Sequence, residues 1–308
     1  MKPDLFFSVI IPTYNRVEFI LLSVKSVLTQ DYRNFEVIVV DDGSTDSTPE
    51  VMATVNDPRV RYVRIRNSER GAARNTGVRL AQGDYVTFLD SDDQYYSNYL
   101  STANDGLKSS GFPVFYHQAY EVRNFLREKV RYAHDYDSHN IGFLVKGNPL
   151  SCLGVFIHRE EALLFPFNED RDLSGSEDWE LWIRLAANFG LKKDNRVCAC
   201  LILHDDRSVI NVDEQKLVRR KLLAMQYSFK DPEVQRKFGA QWNKMDAYSD
   251  TYNSLHLMLD GQIRRSFYYF FKAMRTYPLC VLERRTLAII KYFFINLFRR
   301  YRLSTSIF

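Results

Sequence analysis

The stretch YVTFLDSDD, residues 85–93, decides the fold. Its first half is β-branched and aromatic and reads as a buried strand. Its second half packs Asp90, Asp92 and Asp93 into one turn. Three carboxylates at the end of an apolar strand repel one another unless a cation sits among them. Carboxylate oxygens are hard donors suited to Mg²⁺ or Mn²⁺, ions that complete their shells with phosphate oxygens. A solvated acidic turn would show the same three residues, so the rest of the chain has to choose.

On the N-terminal side, residues 6–11 (FFSVII) read as a first strand ended by Pro12. Asn15, with Glu18 three residues on, reads as the capping pair of a helix that runs to about Gln30. That helix carries Ile20, Val24, Val27 and Leu28 on one face. Residues 35–40 (FEVIVV) form a second strand, apolar enough at its end for burial on both faces. Asp41-Asp42-Gly43-Ser44 turns the chain, and Pro49 suits the first turn of a short helix. Residues 60–65 read as a third strand, and 71–82 as a helix leading into the central one. This alternation predicts an α/β fold with a mainly parallel, doubly wound sheet. Ligands bind such sheets beyond the carboxyl ends of the strands. Thr13-Tyr14-Asn15, Asp41-Asp42 and Asp90-Ser91-Asp92-Asp93 all stand there. Three polar strand ends converging on one crevice weigh against the solvated turn.

On the C-terminal side, 113–122 reads as a strand and 123–140 as charged and irregular. Residues 153–157 form another strand. Residues 174–189 (SGSEDWELWIRLAANF) form an amphipathic helix opened by Ser174 to Asp178. A last strand at 197–203 leads to His204-Asp205-Asp206-Arg207-Ser208. From 211 onward the pattern is helical, so the boundary falls near 210, with a catalytic domain at 1–210 and a helical region at 211–308.

Composition narrows the function classes. Hydrophobic content of 45% is ordinary for a folded chain of 308 residues. A net charge of +4 without clustering gives no nucleic-acid signature. The four cysteines form no Cys-x-x-Cys pair, which fits a reducing, cytoplasmic setting. The short N-terminal apolar run reads as a strand rather than a leader, and no stretch reaches the roughly 20 apolar residues of a membrane span.

Five motifs in order carry a family resemblance: VIIPTYNR at 9–16, VVDDGSTD at 39–46, RGAARNTG at 70–77, FLDSDD at 88–93 and SEDWELWIRL at 176–185. Over residues 8 to about 210 the chain resembles the family 2 glycosyltransferases of the GT-A fold. The resemblance implies a nucleotide-sugar pocket lined by Pro12, Thr13 and Tyr14, with Tyr14 against the base. It implies that Asp42 accepts the uracil N–H, as an ionised carboxylate can. Asp41 either contacts the nucleoside or shapes the turn. Arg74 stands near the pyrophosphate, or in a surface salt bridge. Asp90 and Ser91 belong on the ribose side of the Asp-x-Asp signature. Asp92 and Asp93 are nearest a Mn²⁺ or Mg²⁺ ion. His204 reaches that ion, or is a hydrogen-bonded structural residue. Asp178 matches the catalytic base, against a bland reading in which Glu177-Asp178 only complements the helix dipole. Trp179 and Trp182 border the acceptor cleft or lie in the core, the core being favoured for Trp182.

The implied reaction is an inverting transfer from a nucleotide sugar, a UDP-sugar first, to a saccharide or lipid-linked hydroxyl, in bacterial surface-polysaccharide assembly. A non-catalytic sugar-nucleotide-binding protein and a nucleotidyltransferase are the alternatives. A dehydrogenase would need Gly-x-Gly-x-x-Gly where Pro-Thr-Tyr-Asn stands, and the P-loop motif is absent. A processive synthase would carry Gln-x-x-Arg-Trp and membrane spans, and this chain has neither. In the tail, 246–278 reads as a helical hairpin turning at Gly261, similar to one tetratricopeptide unit. Residues 283–302 (ERRTLAIIKYFFINLFRRYR) place Leu287, Ile290, Phe293, Phe294, Leu297, Phe298 and Tyr301 on one helical face among basic residues. That pattern suits peripheral contact with a membrane. The alternative is packing on the catalytic domain, or on a second copy in a homo-oligomer.

Overall fold

In the computed structural model, which describes residues 4–124, 128–132, 140–204 and 213–305 (backbone alone for 129–132 and 299–305), one sheet organises the chain. Its strands are β1 (Phe7–Thr13), β2 (Phe35–Asp41), β3 (Val60–Arg64), β4 (Tyr85–Phe88), β5 (Gln94–Tyr95), β6 (Phe115–Asn124), β7 (Lys129–Tyr132), β8 (Val155–His158) and β9 (Lys192–Leu203). They lie in the order β3-β2-β1-β4-β8-β6-β9-β5, with β7 on β6. β3, β2, β1 and β4 are mutually parallel. β8 runs antiparallel between β4 and β6. The sheet is therefore mixed, and parallel over the half that the expected crevice needs.

Side chains alternate across the pleat. Phe7, Val9 and Ile11 of β1 enter one core with α1 (Ile20–Leu28), α2 (Thr48–Met52) and α4 (Tyr99–Ser109). Ile10 enters the other, with α3 (Glu69–Leu80), α5 (Arg159–Leu164) and α6 (Glu177–Phe189). Burial on both faces explains the near-continuous apolar runs of β1 and β2. Gly77 lets α3 sit directly on β1: a Cβ there would stand 2.4 Å from Ile10 Cγ2.

The helices α7 (Glu214–Ser228), α8 (Pro232–Phe238), α9 (Trp242–Leu259), α10 (Ile263–Thr276) and α11 (Arg284–Thr305) follow. Ala224, Met225, Val234, Phe238, Met245 and Ala273 join the same core as α6, so the helical region is built onto the sheet. The expected boundary near 210, and the run Asp205 to Ser208, lie outside the described residues. The hairpin is α9 and α10, with Gly261 in the left-handed region (φ +77°) at its turn.

Several boundaries differ from expectation. Pro12 does not end β1 but pairs with Val40 inside it. The Ile10 carbonyl accepts from Leu89, so Pro12, two residues on, faces the same side, beyond the end of β4. Its missing N–H therefore costs no ladder bond. Asn15 does not cap α1, whose first residue is Ile20. Asn15 instead takes φ +50° and its Oδ1 accepts from the Thr45 and Asp46 amides, tying the loops after β1 and β2 together. The 123–140 stretch contains β7, and β9 begins at Lys192, five residues before the expected 197. α6 opens at Glu177 rather than Ser174.

Candidate active site

The carboxyl ends of β1, β2 and β4 and the first turns of α3 enclose an open cleft of about 620 Å³. Pro12, Thr13, Tyr14, Asp42, Arg74, Asp90, Ser91 and Asp92 line it. Thr13 is buried and its Oγ1 has no hydrogen-bond partner. Tyr14 is 44% exposed at the rim, where a ring is free to lie against a planar ligand. Arg16, Asn67, Glu69 and Arg70 complete the lining. Arg16 and Arg70 each sit inside a quoted motif, PTYNR and RGAARNTG, and could have been read from it. Asn15 and Glu69 both take positive φ at this wall. Non-glycine residues held there concentrate at functional sites.

The two aspartates after β2 separate cleanly. Asp41 is wholly buried: its Oδ1 accepts from the Ser44 amide at 2.7 Å and its Oδ2 from the Tyr62 hydroxyl. It shapes the turn and does not line the cleft. Asp42 does line it. Its Oδ1 accepts from the Ser68 amide at 2.7 Å, and burial pushes its carboxyl above the ordinary range.

The acidic turn divides in the same way. Asp92 Oδ2 faces His204 Nε2 at 3.1 Å and Arg16 Nε at 3.7 Å. His204 stacks on Phe19, with ring centroids 4.7 Å apart. Asp93 is set apart from the expectation that it faces an ion: it is wholly buried, its Oδ1 accepts from the Ile202 amide at 3.0 Å, and it is not part of the cleft wall. It latches the turn to β9. Among the described residues no three His, Cys, Asp or Glu side chains are gathered closely enough to hold an ion unaided. The oxygen and imidazole donors of Asp92 and His204, with Asp90 alongside, nonetheless fit Mn²⁺ or Mg²⁺. Such ions in nucleotide sites take few protein donors and leave positions for phosphate oxygens.

Arg74 connects this turn to α6. It is 2% exposed, so the surface-salt-bridge reading fails. Its guanidinium donates to Asp90 Oδ1 and to Glu177 Oε1, each at 2.8 Å, and lies over the Phe167 ring. Glu177 is buried, yet the charges of Arg70 and Arg74 hold its carboxyl below the ordinary range. The bridge Asp90–Arg74–Glu177 thus fixes the first turn of α6 against the strand ends.

Asp178 follows Glu177 on that turn. Its Oδ2 accepts from Asn148 Nδ2 at 2.8 Å and its Oδ1 from the Trp179 amide at 2.7 Å. Burial, then the neighbouring Glu177 charge, push its pKa up to about 6, against the pull of Arg74 and Lys221. A carboxylate near 6 is poised to take and return a proton at neutral pH. Trp179 and Trp182 are both fully buried, so both belong to the core. Asn148 and Lys221 carried no local signal in the sequence. They reach the site from a loop and a helix distant in the chain.

Comparison with known proteins bears on family and fold. The family model described as Glycosyl transferase family 2 matches residues 8–157, the segment holding all three strand ends. The chain is 30% identical over 192 residues to the Escherichia coli UDP-Glc:alpha-D-GlcNAc-diphosphoundecaprenol beta-1,3-glucosyltransferase WfaP, covering 61% of this chain and 72% of that protein. Other curated relatives are longer: this chain spans 30%, 30% and 26% of three Rickettsia proteins named as uncharacterized glycosyltransferases. Among solved structures, Staphylococcus aureus TarS 1–349 in complex with UDP-GlcNAc matches with a TM-score of 0.58 at 17% identity, over 89% of this chain and 91% of that one. The mannosyltransferase PcManGT of Pyrobaculum calidifontis, in complex with GDP-Man and Mn²⁺, matches with a TM-score of 0.59 at 18% identity, over 96% and 88%. At such identities the structures speak for the GT-A fold. The family match across the cleft-building strands, and 30% identity along most of a curated member, place the chain in the family 2 glycosyltransferases.

Proposed function

We propose that this chain is an inverting glycosyltransferase that moves a sugar from a UDP-sugar to an acceptor hydroxyl, with Asp178 as general base. The observation that carries the reading is the position of Asp178. It stands on the first turn of α6, oriented by Asn148, raised to about 6, and joined to the nucleotide cleft through Glu177, Arg74 and Asp90.

The acceptor hydroxyl gives its proton to the Asp178 carboxylate as its oxygen bonds to the anomeric carbon. The bond from that carbon to the diphosphate oxygen breaks, and its electron pair leaves with the nucleoside diphosphate. Arg74 stands where that departing charge develops. Asp42, an acceptor only while ionised, reads the uracil N–H. Thr13 and Tyr14 bound the nucleoside. A Mn²⁺ or Mg²⁺ ion would be held by Asp92 and His204, beside Asp90, and would supply neutralising charge for the diphosphate. Titration calorimetry with UDP, GDP, CDP and TDP tests the donor side. UDP binds best, and more tightly with Mn²⁺; equal binding of all four, indifferent to the ion, contradicts the assignment.

The acceptor side is a saccharide, soluble or lipid-linked; the WfaP relative is named for a lipid-linked one, alpha-D-GlcNAc-diphosphoundecaprenol. No described helix is long and apolar enough to cross a membrane. The observation that favours membrane contact is on α10 and α11. Ile289 and Asn296 pack α11 inward, while Leu287, Ile290, Phe294, Leu297 and Phe298 remain exposed. Phe271 of α10 and Leu282, two residues before α11, are exposed as well, with the basic residues Arg264, Arg275 and Lys291 on the two helices. Such a surface suits the interface of an anionic bilayer.

A further inference from the structure

The helical region brings a cluster of cations against Asp178. Lys221 of α7 is 7% exposed. Its ammonium lies between two rings, 4.8 Å from the centroid of Trp179 and 4.5 Å from that of Tyr252. Arg285 of α11 lies over the same Tyr252 ring and donates to the carbonyls of Tyr248 and Lys146. Arg220 packs against Gly175, at the entrance to α6, and its buried Nε has no hydrogen-bond partner. The cations around them are paired: Arg219 with Asp172, Lys146 with Glu283. Among the described residues, Arg220, Lys221 and Arg285 have no carboxylate within ion-pair distance.

Burying three cations together costs several kcal/mol unless an anion joins them. Burial, then the charges of Arg220 and Arg285, push Lys221 down to about 7, and burial alone holds Arg285 below its ordinary range. Asp178 is the carboxylate that offsets Lys221 most, since Glu177 is already taken by Arg70 and Arg74, and Glu283, which faces Arg285, by Lys146 and Tyr248. With Lys221 pushed down to about 7, the excess of about one to two positive charges is what a phosphate group would offset. Two guanidinium forks and an ammonium are the donors that phosphate oxygens prefer. We propose that Arg220, Lys221 and Arg285 form the docking point for a phosphate or diphosphate carried by the acceptor. The group would hold the acceptor's sugar hydroxyl at Asp178. The inference deepens the proposed transfer and rests on Asp178 being its base.

Calorimetry on the full chain, with UDP already filling the nucleotide cleft and no divalent ion present, tests it with two probes: inorganic pyrophosphate and farnesyl diphosphate. Pyrophosphate binds at one site. Lys221→Met and Arg220→Gln each weaken it roughly 10- to 100-fold, the loss of one charge-assisted contact, and leave UDP affinity unchanged. Lys221→Arg keeps the charge and retains binding within a few-fold, which separates lost charge from lost fold. Tighter binding of farnesyl diphosphate assigns the phosphate to a lipid-linked acceptor. Equal binding assigns it to phosphate chemistry alone, as on a soluble or polymeric acceptor. Absent pyrophosphate binding, or equal affinity in wild type and variants, overturns the docking point while UDP binding keeps the donor reading intact. Loss of UDP binding itself would instead strike the proposed function.

Discussion

Asp178→Asn should make the protein more stable at neutral pH. The rise of the Asp178 pKa from 3.8 to about 6 means that the folded state disfavours its ionised form by roughly 3 kcal/mol relative to the unfolded chain. A group raised in this way contributes fully below the unfolded value. That contribution is lost as pH climbs through the folded one, so the wild type loses stability between about pH 4 and 6. Asparagine does not titrate, and its amide oxygen still accepts from Asn148. Its NH₂ group, however, would face the Trp179 amide, another donor, and that mismatch subtracts about 1–2 kcal/mol. The net expectation is a gain of about 1–2 kcal/mol at pH 7.5. At an unfolding entropy of about 2.1 cal/mol/K per residue, this corresponds to roughly 2–3 °C in Tm. Below pH 4 the advantage disappears. Thermal unfolding of both proteins at pH 4 and 7.5 reads the effect. A variant less stable than wild type at pH 7.5, or a difference that does not change with pH, would refute the reasoning about this carboxylate.

Other outcomes follow from the same geometry. Arg74→Met strands a buried Glu177 and should cost about 3–5 kcal/mol, with part recovered in the Arg74→Met/Glu177→Gln double variant; denaturant unfolding shows whether the two couple. Leu287→Gln, Phe294→Gln and Phe298→Gln together alter only exposed side chains of α11. They should lower binding to anionic vesicles at least 100-fold, at about 1.5–3 kcal/mol for each inserted apolar side chain, while Tm stays within a degree or two. Flotation equal to wild type would remove the membrane reading.

The parallel half of the sheet was legible because burial on both faces writes continuous apolar runs, and because each run ends in a polar group that a core would not tolerate. The cleft was legible for the same reason, down to Thr13, Asp42, Arg74 and Asp92. What the sequence concealed was how neighbours divide their work. Asp41 and Asp42 are adjacent carboxylates, and only the pleat decides that one points to the Tyr62 hydroxyl and the other to the cleft. Asp93 likewise turns inward to Ile202, a partner more than a hundred positions away. Asn15 had the composition of a helix cap, but its left-handed backbone sends the side chain to the next loop instead. On α11 the wheel found an apolar stripe, yet of that stripe Phe293 packs inward against Phe267, beside Ile289 and Asn296, which lie off it. Long-range packing chose the contact face, and Leu287, Ile290, Phe294, Leu297 and Phe298 were left outside.

The most direct test of the account measures turnover and UDP affinity on one preparation of Asp178→Asn. With a UDP-sugar and an acceptor saccharide, transfer should fall about 10²- to 10⁴-fold, the share a positioned general base supplies. UDP affinity should stay within a few-fold of wild type, because Asp42, Thr13 and Arg74 are untouched. Near-normal transfer by the variant would contradict the assignment of the base and, with it, the proposed mechanism.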